Sequence, residues 1–523
     1  MADDSSIWDI VIIGAGLAGC AFVWALRQSG LRILILERGS YLPQEAENWD
    51  PEAVIQAGRY EPNDEWLSGQ NERFRPRVYY NVGGSSKFFG GSAFRLRKED
   101  FMRKDYPDGS TPEWPVSYVE MAPWYDIAER QMRVHGERYA DPTDPAESGA
   151  PEYPFPPLED EPPIAWLRSQ LKKQGLTPFP LPIAVHQGGG GHCQKGSPCD
   201  GFPCKVRAKG DGENAFLRPA LSEIRRAGTA SIQVETEAKV VRINCLDVGE
   251  KVDSVTYEKD GHTIEVSCKA VILAAGAVNS AALLLQSNCE LHPTGIGNKN
   301  GLVGRNFMAH NNTVLMAINI FRKNPTRFQK TLSLNDWYFY LPKADSRAPE
   351  EPRGNIQMRG KVLEENLKKS SFWWRRTFRR WIAAHSFDFW VMSEDLPKLD
   401  NRVTIAEDGT IRLARTMNNM KVHKDLVAQF KRVLRCCGFH IILEREPDPR
   451  TIQHQVGTIP FGTDPKTSVL DPWCRVHGMS NIYVVDGSVF PSSAAVNPAL
   501  TIAANALRVG DHVLNNIVAR EDV

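Results

Sequence analysis

One stretch constrains this chain more than any other: DIVIIGAGLAGCAFVWALRQSGLRILILERG, residues 9–39. It opens on a continuous apolar run, the pattern of a parallel strand buried on both faces. Three glycines follow, Gly14, Gly16 and Gly19, and then helical apolar spacing as far as Gly30. A second apolar run, LRILILE, ends at Glu37. The predicted unit is strand, turn, helix, strand. In such a unit the first glycine permits a tight turn and the second lets backbone approach a pyrophosphate. The third lets helix and strand pack closely. The pyrophosphate then faces free N–H groups at the positive end of the helix. Glu37 lies eighteen residues beyond Gly19, where a carboxylate accepts hydrogen bonds from an adenosine ribose and disfavours a 2′-phosphate. NAD or FAD is therefore expected, and NADP is not.

Two later stretches continue the same domain. KAVILAAGAVNSAALLLQS (269–287) reads strand, glycine turn, helix. NIYVVDGSVFPSSAAVNPALTIAANALRVGDHVL (481–514) reads strand, loop and a long helix. The expected architecture is an α/β, Rossmann-like FAD-binding domain assembled from residues 1–103, 200–311 and 451–523. A substrate-binding cap of α+β type, with a mixed or antiparallel sheet, takes residues 104–199 and 312–450. With 523 residues the chain is long enough for both, and its 42% hydrophobic composition suits packed cores. The formal net charge is +0, which gives no steering toward nucleic acid or anionic lipid. The N-terminus has no basic n-region followed by a cleavage site, and no apolar run reaches membrane-spanning length, so a cytoplasmic location is expected. The stretch 367–384 is basic and aromatic. It reads as a helix or loop with inward tryptophans and a solvated arginine face, or as a surface for a membrane or partner. Cys193, Cys199 and Cys204 read as loop cysteines. With His192 they also admit a metal site of unfamiliar spacing, and a disulfide would contradict a reducing compartment. The expectation is no metal.

A second glycine cluster bears on which dinucleotide binds. NVGGSSKFFGG (81–91) brings four glycines and two serines into eleven residues. A nicotinamide enzyme has no evident need for it. A large flavin does, because backbone must approach its pyrophosphate and ring edge together.

These motifs form a recognisable set. The N-terminal GAGLAG…LERG is followed in order by VGGSSKFFGGSAFR, WPVSYVEMAPWYDIAER, AAGAVNSAALLL, GLVGRNFMAH and VVDGSVFPSSAAVNPALTIAANALRVGDH. The chain resembles the glucose–methanol–choline (GMC) family of FAD-dependent oxidoreductases, nearest its sugar-oxidising, pyranose-oxidase-like branches. The resemblance is weakest over 320–450. It implies that Glu37 meets the adenosine ribose, Val240 the adenine, Gly83, Gly84 and Ser85 the pyrophosphate, and Asp486 the ribityl–pyrophosphate stretch. Some members bind the flavin covalently through a histidine four residues past the Gly-Gly that opens this second cluster, here Gly83-Gly84. Phe88 stands there in this sequence, so non-covalent FAD is expected.

The resemblance also implies a catalytic pair, His454 in HQVGT and Asn497 in SSAAVNPALT. The chemistry suits them. Oxidising an alcohol to a carbonyl removes a hydroxyl proton and a hydride from one carbon, and neutral imidazole is a suitable proton acceptor near neutral pH. An amide donor can hold the substrate oxygen and steady developing alkoxide charge. Pro498 opens a helix whose N-terminus would point at the flavin edge that becomes anionic on reduction. His310 and His477 are competing imidazoles and read as structural. Gln357, Asp388 and Trp390 are candidate contacts for a sugar ring. The expected reaction is FAD-dependent oxidation of a CH–OH group on a sugar, polyol or glycoside, with oxygen or a quinone as acceptor. Alternatives are a sterol, an aliphatic alcohol or a specialised-metabolite hydroxyl as substrate, or a non-redox lyase of the same fold. Neither nucleic acid nor membrane is expected as a partner, and a homo-oligomer is compatible with the sequence.

Overall fold

The apolar run Trp8–Ile13 becomes an inner strand, with Ile10, Val11 and Ile12 wholly buried. A computed structural model describes residues 7–187, 192–196, 198–227, 232–245, 250–339, 353–367, 376–446 and 452–521. In it, Trp8–Ile13 pairs in parallel with Ile33–Leu36 on one side and with His262–Leu273 on the other. Ile232–Glu235 extends the sheet at one end, and Ile482–Val484 pairs in parallel with the end of His262–Leu273.

The long strand His262–Leu273 serves two partners. Its first half pairs antiparallel with Val252–Lys259, which in turn pairs with Lys239–Cys245. Its second half enters the parallel sheet from Cys268 to Leu273. Burial follows this division, alternating along the first half and continuous from Ala270 to Leu273, as expected where a one-faced meander becomes a two-faced parallel strand. The helix Leu17–Ala25 lies against the C-terminal helix Ala499–Glu521. A side chain at Gly510 would come within 2.7 Å of the Ala25 Cβ, so the glycine sets how closely these helices approach.

A second sheet covers the first domain's ligand edge. Its strands run Ile441–Arg445, Asn311–Ile318, Ser386–Ser393, Asn355–Met358, Leu332–Leu334, Phe179–Pro180, all antiparallel. The period of two sorts its faces. Leu315, Ala317, Phe387, Phe389 and Val391 pack on helices Pro162–Lys173 and Met420–Cys436. Val314, Met316 and Trp390 form a separate cluster on the other face. The fold is thus a Rossmann-like α/β domain joined to an α+β cap with an antiparallel sheet.

Packing cuts across the expected boundaries in two places. Helix Tyr118–Met132, in a stretch assigned to the cap, buries Tyr118, Met121, Tyr125, Ala128 and Met132 in the first domain's core. The hairpin Arg402–Ile405 and Ile411–Ala414 joins Trp66–Ser68 and Arg73–Phe74 in a small sheet, and Val403 and Leu413 belong to the same core. The apolar faces of these segments find their partners in the first domain, and that overrides their position along the chain.

All ten cysteines are free thiols, and Cys193 and Cys199 pack beside Leu158, Ile183, Val185 and Phe328. Residues 368–375 of the basic-aromatic stretch lie outside the described residues. The remainder forms helix Arg376–His385, which buries Ile382 and sets Arg376 and Arg379 beside Glu364. No helix among the described residues is long and apolar enough to cross a membrane.

Candidate active site

The two glycine turns meet. The Gly83 N–H donates to the Ala15 carbonyl at 2.7 Å, and a Cβ on Gly84 would stand 3.0 Å from the Gly16 Cα. Gly14 has φ +99°, and a Cβ there would lie 2.6 Å from the Ala274 carbonyl oxygen. A Cβ on Gly19 would lie 2.1 Å from the Gly14 oxygen, so this glycine fixes helix to strand. Helix Leu17–Ala25 has no side-chain cap and no acidic residue in its first turn, which leaves its leading N–H groups for an anion.

Glu37 closes this end. Its carboxylate accepts from the Ala15 N–H at 2.8 Å and the Gly39 N–H at 3.0 Å, bracing the glycine turn. Burial raises its pKa to about 7 against the pull of those two N–H groups. Asp486 accepts from the Gly276 and Ser488 N–H groups, each at 2.9 Å, and from the Ser280 hydroxyl.

From these turns a cavity of about 1090 Å³ runs to the second sheet. Gly14, Gly16, Glu37, Gly84, Ser85, Val240 and Asp486 line it at one end, with His454, Asn497, Pro498 and Trp390 along the same wall system. Gly19 and Gly83 support it from behind. A cavity with two glycine cradles, open helix N–H groups and a buried carboxylate fits a dinucleotide. Phe88 is buried and stacks on Tyr79, with ring centroids 3.6 Å apart.

At the other end a directed hydrogen-bond chain is assembled from five separate segments. The Ser92 hydroxyl donates to Gln357 Oε1 at 2.7 Å, so the amide Nε2 of Gln357 faces Asn497 and donates to its Oδ1, also at 2.7 Å. Asn497 Nδ2 is thereby turned toward His454 Nε2, 3.2 Å away. On the far side, His454 Nδ1 lies 2.9 Å from His310 Nδ1, and His310 Nε2 lies 3.1 Å from the Ser493 carbonyl. A carbonyl only accepts, so His310 carries its proton on Nε2 and its Nδ1 is a lone pair. His454 must then donate from Nδ1, which leaves Nε2 as the basic nitrogen, facing Asn497. Burial, with His310 and Lys330 nearby, holds the His454 pKa well below the ordinary imidazole value. Burial likewise pushes His310 down to about 4. Both rings are neutral near pH 7, as the tautomer chain requires.

The backbone here is held under strain. His454 has φ +58° and Ala494 φ +53°, in the left-handed region that non-glycine residues avoid. Gly457 makes the turn after His454 feasible, since a Cβ there would lie 2.4 Å from the Met308 side chain. Ala494 is pinned by its N–H on Glu394 Oε1 at 2.8 Å.

Of the expected substrate contacts, only Trp390 lines the cavity. Gln357 instead stands behind Asn497 as its positioning residue. Asp388 is wholly buried. One of its oxygens accepts from Gln329 Nε2 and the Val362 N–H, and it lies outside the cavity lining. His477 hydrogen-bonds Ser468 at 2.9 Å and takes no part in the chain of donors. Sequence reasoning set His310 aside as structural, and did not pick out Ser92 or Ser493. Each is an ordinary residue whose role exists only once distant segments meet.

The N-terminal GMC oxidoreductase model matches residues 172–312 and its C-terminal counterpart residues 441–506, while an NAD(P)-binding Rossmann-like model matches residues 12–50. Paromamine 6′-oxidase of Streptomyces fradiae is 29% identical, covering 99% of this chain and 93% of its own length. The 6′′′-hydroxyparomomycin C oxidase of Streptomyces lividus is 28% identical over 98% and 92%. The fructose dehydrogenase large subunit of Gluconobacter japonicus is 25% identical over 99% of each. Among solved structures, pyridoxine 4-oxidase from Mesorbium loti superposes with a TM-score of 0.65 at 17% identity, covering 97% of this chain and 99% of that one. The chain belongs to the GMC oxidoreductase family of flavoproteins and is an oxidoreductase acting on CH–OH groups.

Proposed function

We propose that this protein oxidises a hydroxyl group of a sugar, polyol or glycoside to a carbonyl with non-covalently bound FAD. The observation that carries the reading is the directed chain ending at His454 Nε2, set in the same cavity as the glycine cradle. Gly14, Gly16, Gly83, Gly84 and Ser85 would hold the pyrophosphate, Glu37 the adenosine ribose, Val240 the adenine and Asp486 the ribityl–pyrophosphate stretch. Phe88 at the position of the covalent histidine supports a dissociable cofactor. FAD, when bound, supplies the hydride acceptor.

The protein's own residues do the rest. Asn497 Nδ2 donates to the substrate oxygen in place of His454, and Gln357 keeps that amide from turning. His454 Nε2 then takes the hydroxyl proton, and the imidazolium that forms stays hydrogen-bonded through Nδ1–H to His310. Because that geometry is set beforehand, the substrate meets a base that is already oriented. Pro498 and the first turn of Ala499–Glu521, which has no acidic residue, bring the positive end of a helix to the cavity. Relatives named for oxidising paromamine, a hydroxyparomomycin and fructose support a carbohydrate-like substrate. Ten free cysteines support a reducing, cytoplasmic setting.

The test is anaerobic bleaching of the flavin by a panel of sugars, glycosides, sterols and aliphatic alcohols, followed by admission of air or a soluble quinone. Bleaching by carbohydrates supports the reading, and the reagent that restores colour names the acceptor. A flavin that dithionite reduces but none of the panel does would sink it.

A further inference from the structure

Arg359 is a charged residue on the cavity wall that the chemistry above does not use. Arg359 directly follows strand Asn355–Met358. Its N–H donates to the Asp388 carbonyl at 3.0 Å, continuing the ladder in which Gln357 sits opposite Trp390. Residues two apart on a strand share a face. Arg359 therefore points to the same side as Gln357, whose amide holds Asn497. Its guanidinium lies 4.8 Å from the centre of the Trp390 ring, and both side chains line the cavity.

Among the described residues Arg359 has no matching acceptor. Its Nε is sealed from solvent and has no hydrogen-bond partner. Among the described residues no carboxylate lies within ion-pair distance of it. The nearest charges are engaged elsewhere, lie off the cavity or are repulsive. Asp200 pairs with Lys330 at 2.8 Å and accepts the Gly360 N–H at 2.7 Å. One oxygen of Asp388 serves Gln329 and Val362, and the other, also without a partner, lies off the cavity. Arg445 and Glu446 also line the wall, and of its other carboxylates Asp64 pairs with Arg38 and Glu61 with Arg77. Buried donors are rarely left unmet in folded proteins. A guanidinium stacked on an indole has its fork held in plane, ready for a two-toothed oxyanion.

We propose that Arg359 recognises an oxyanion on the substrate, so that the enzyme acts on an acidic sugar or polyol, one bearing a carboxylate or phosphate ester beside its hydroxyls. The proposal rests on the carbohydrate reading above and narrows it. A protonated amino sugar would meet like charge at Arg359, Arg445 and Lys330.

The test is titration of the FAD-loaded protein with glucuronate, glucose 6-phosphate, glucose and glucosamine, read by calorimetry and by perturbation of the bound flavin's visible spectrum. It is repeated on Arg359→Gln and Arg359→Lys, each checked for FAD content and melting temperature. At least one acid is expected to bind more tightly than glucose, by roughly tenfold to a hundredfold, with glucosamine weakest. Which acid wins separates carboxylate from phosphate. Arg359→Gln should erase the advantage of the acids over glucose, and Arg359→Lys should keep part of it. Equal binding of acids and glucose by the unaltered protein overturns the proposal, even if neither variant folds. So does an undiminished preference in Arg359→Gln. Because binding is read apart from turnover, acids that bind through Arg359 without bleaching the flavin leave the anion site standing and count against the oxidation. Bleaching by glucose with no preference for acids does the reverse.

Discussion

The two ends of the cavity are built from different materials. The nucleotide end is made of backbone: glycine turns, helix N–H groups and one carboxylate clamped by two N–H groups. The reaction end is made of side chains from five segments, joined donor to acceptor from Ser92 to Ser493. A backbone cradle fails when anything is added to it. A side-chain relay fails when any link is removed or reversed.

The largest expected effect tests the first half of that contrast. Gly14→Val places branched carbon where a Cβ already lies 2.6 Å from a carbonyl oxygen, at a φ of +99°. We expect purified protein without visible flavin absorbance, and yellow, active protein would break the comparison. Next comes His454→Ala, expected to retain FAD and lose flavin reduction on the order of a thousandfold. Ordinary reduction rates would remove His454 from the chemistry. His310→Gln sharpens the relay. It should slow reduction by roughly tenfold to a hundredfold through disordered tautomers, while FAD content stays the same. In the unaltered protein the acid limb of the reduction rate should fall well below pH 6.5, because burial holds both rings neutral. An acid limb at or above 6.5 would contradict the assigned protonation.

The smallest effect returns to the nucleotide end. Burial raises Glu37 to about 7, so folding favours its protonated form. The stability this lends is complete below the ordinary carboxylate pKa and fades as pH rises to about 7. Urea midpoints of FAD-free protein should therefore fall across that window, by about 3 kcal/mol at most from this group. Glu37→Gln should flatten the slope, and an unchanged slope would assign it to other groups.

The same contrast explains what could be read from the sequence. Gly14, Gly16, Gly19 and Glu37 lie within twenty-four residues and build one turn through local backbone geometry, so spacing alone predicts that turn. His454 and Asn497, expected from family resemblance, meet with Nδ2 and Nε2 3.2 Å apart. Nothing near Ser92 or His310 marks them as links, because their partners lie 265 and 144 residues away. Asp388 and Gln357 were picked as polar residues on strands of the cap. Strand alternation does put both on the cavity-facing side, yet protein groups take their hydrogen bonds first. Helix Tyr118–Met132 eluded the domain division because its apolar face is completed by helix Ala499–Glu521, far along the chain.

The long strand His262–Leu273 has a consequence for how the protein is made. The parallel sheet it joins is finished only by Ile482–Val484, and the helix that packs on Leu17–Ala25 follows that strand. At ordinary rates of translation, roughly twenty seconds to a minute and a half separates Ile33–Leu36 from that closing strand. During that interval a nascent chain carries its most apolar strands without their final neighbours. The candidate cofactor cradle is therefore complete only once Ile482–Val484 and the helix after it have joined the sheet.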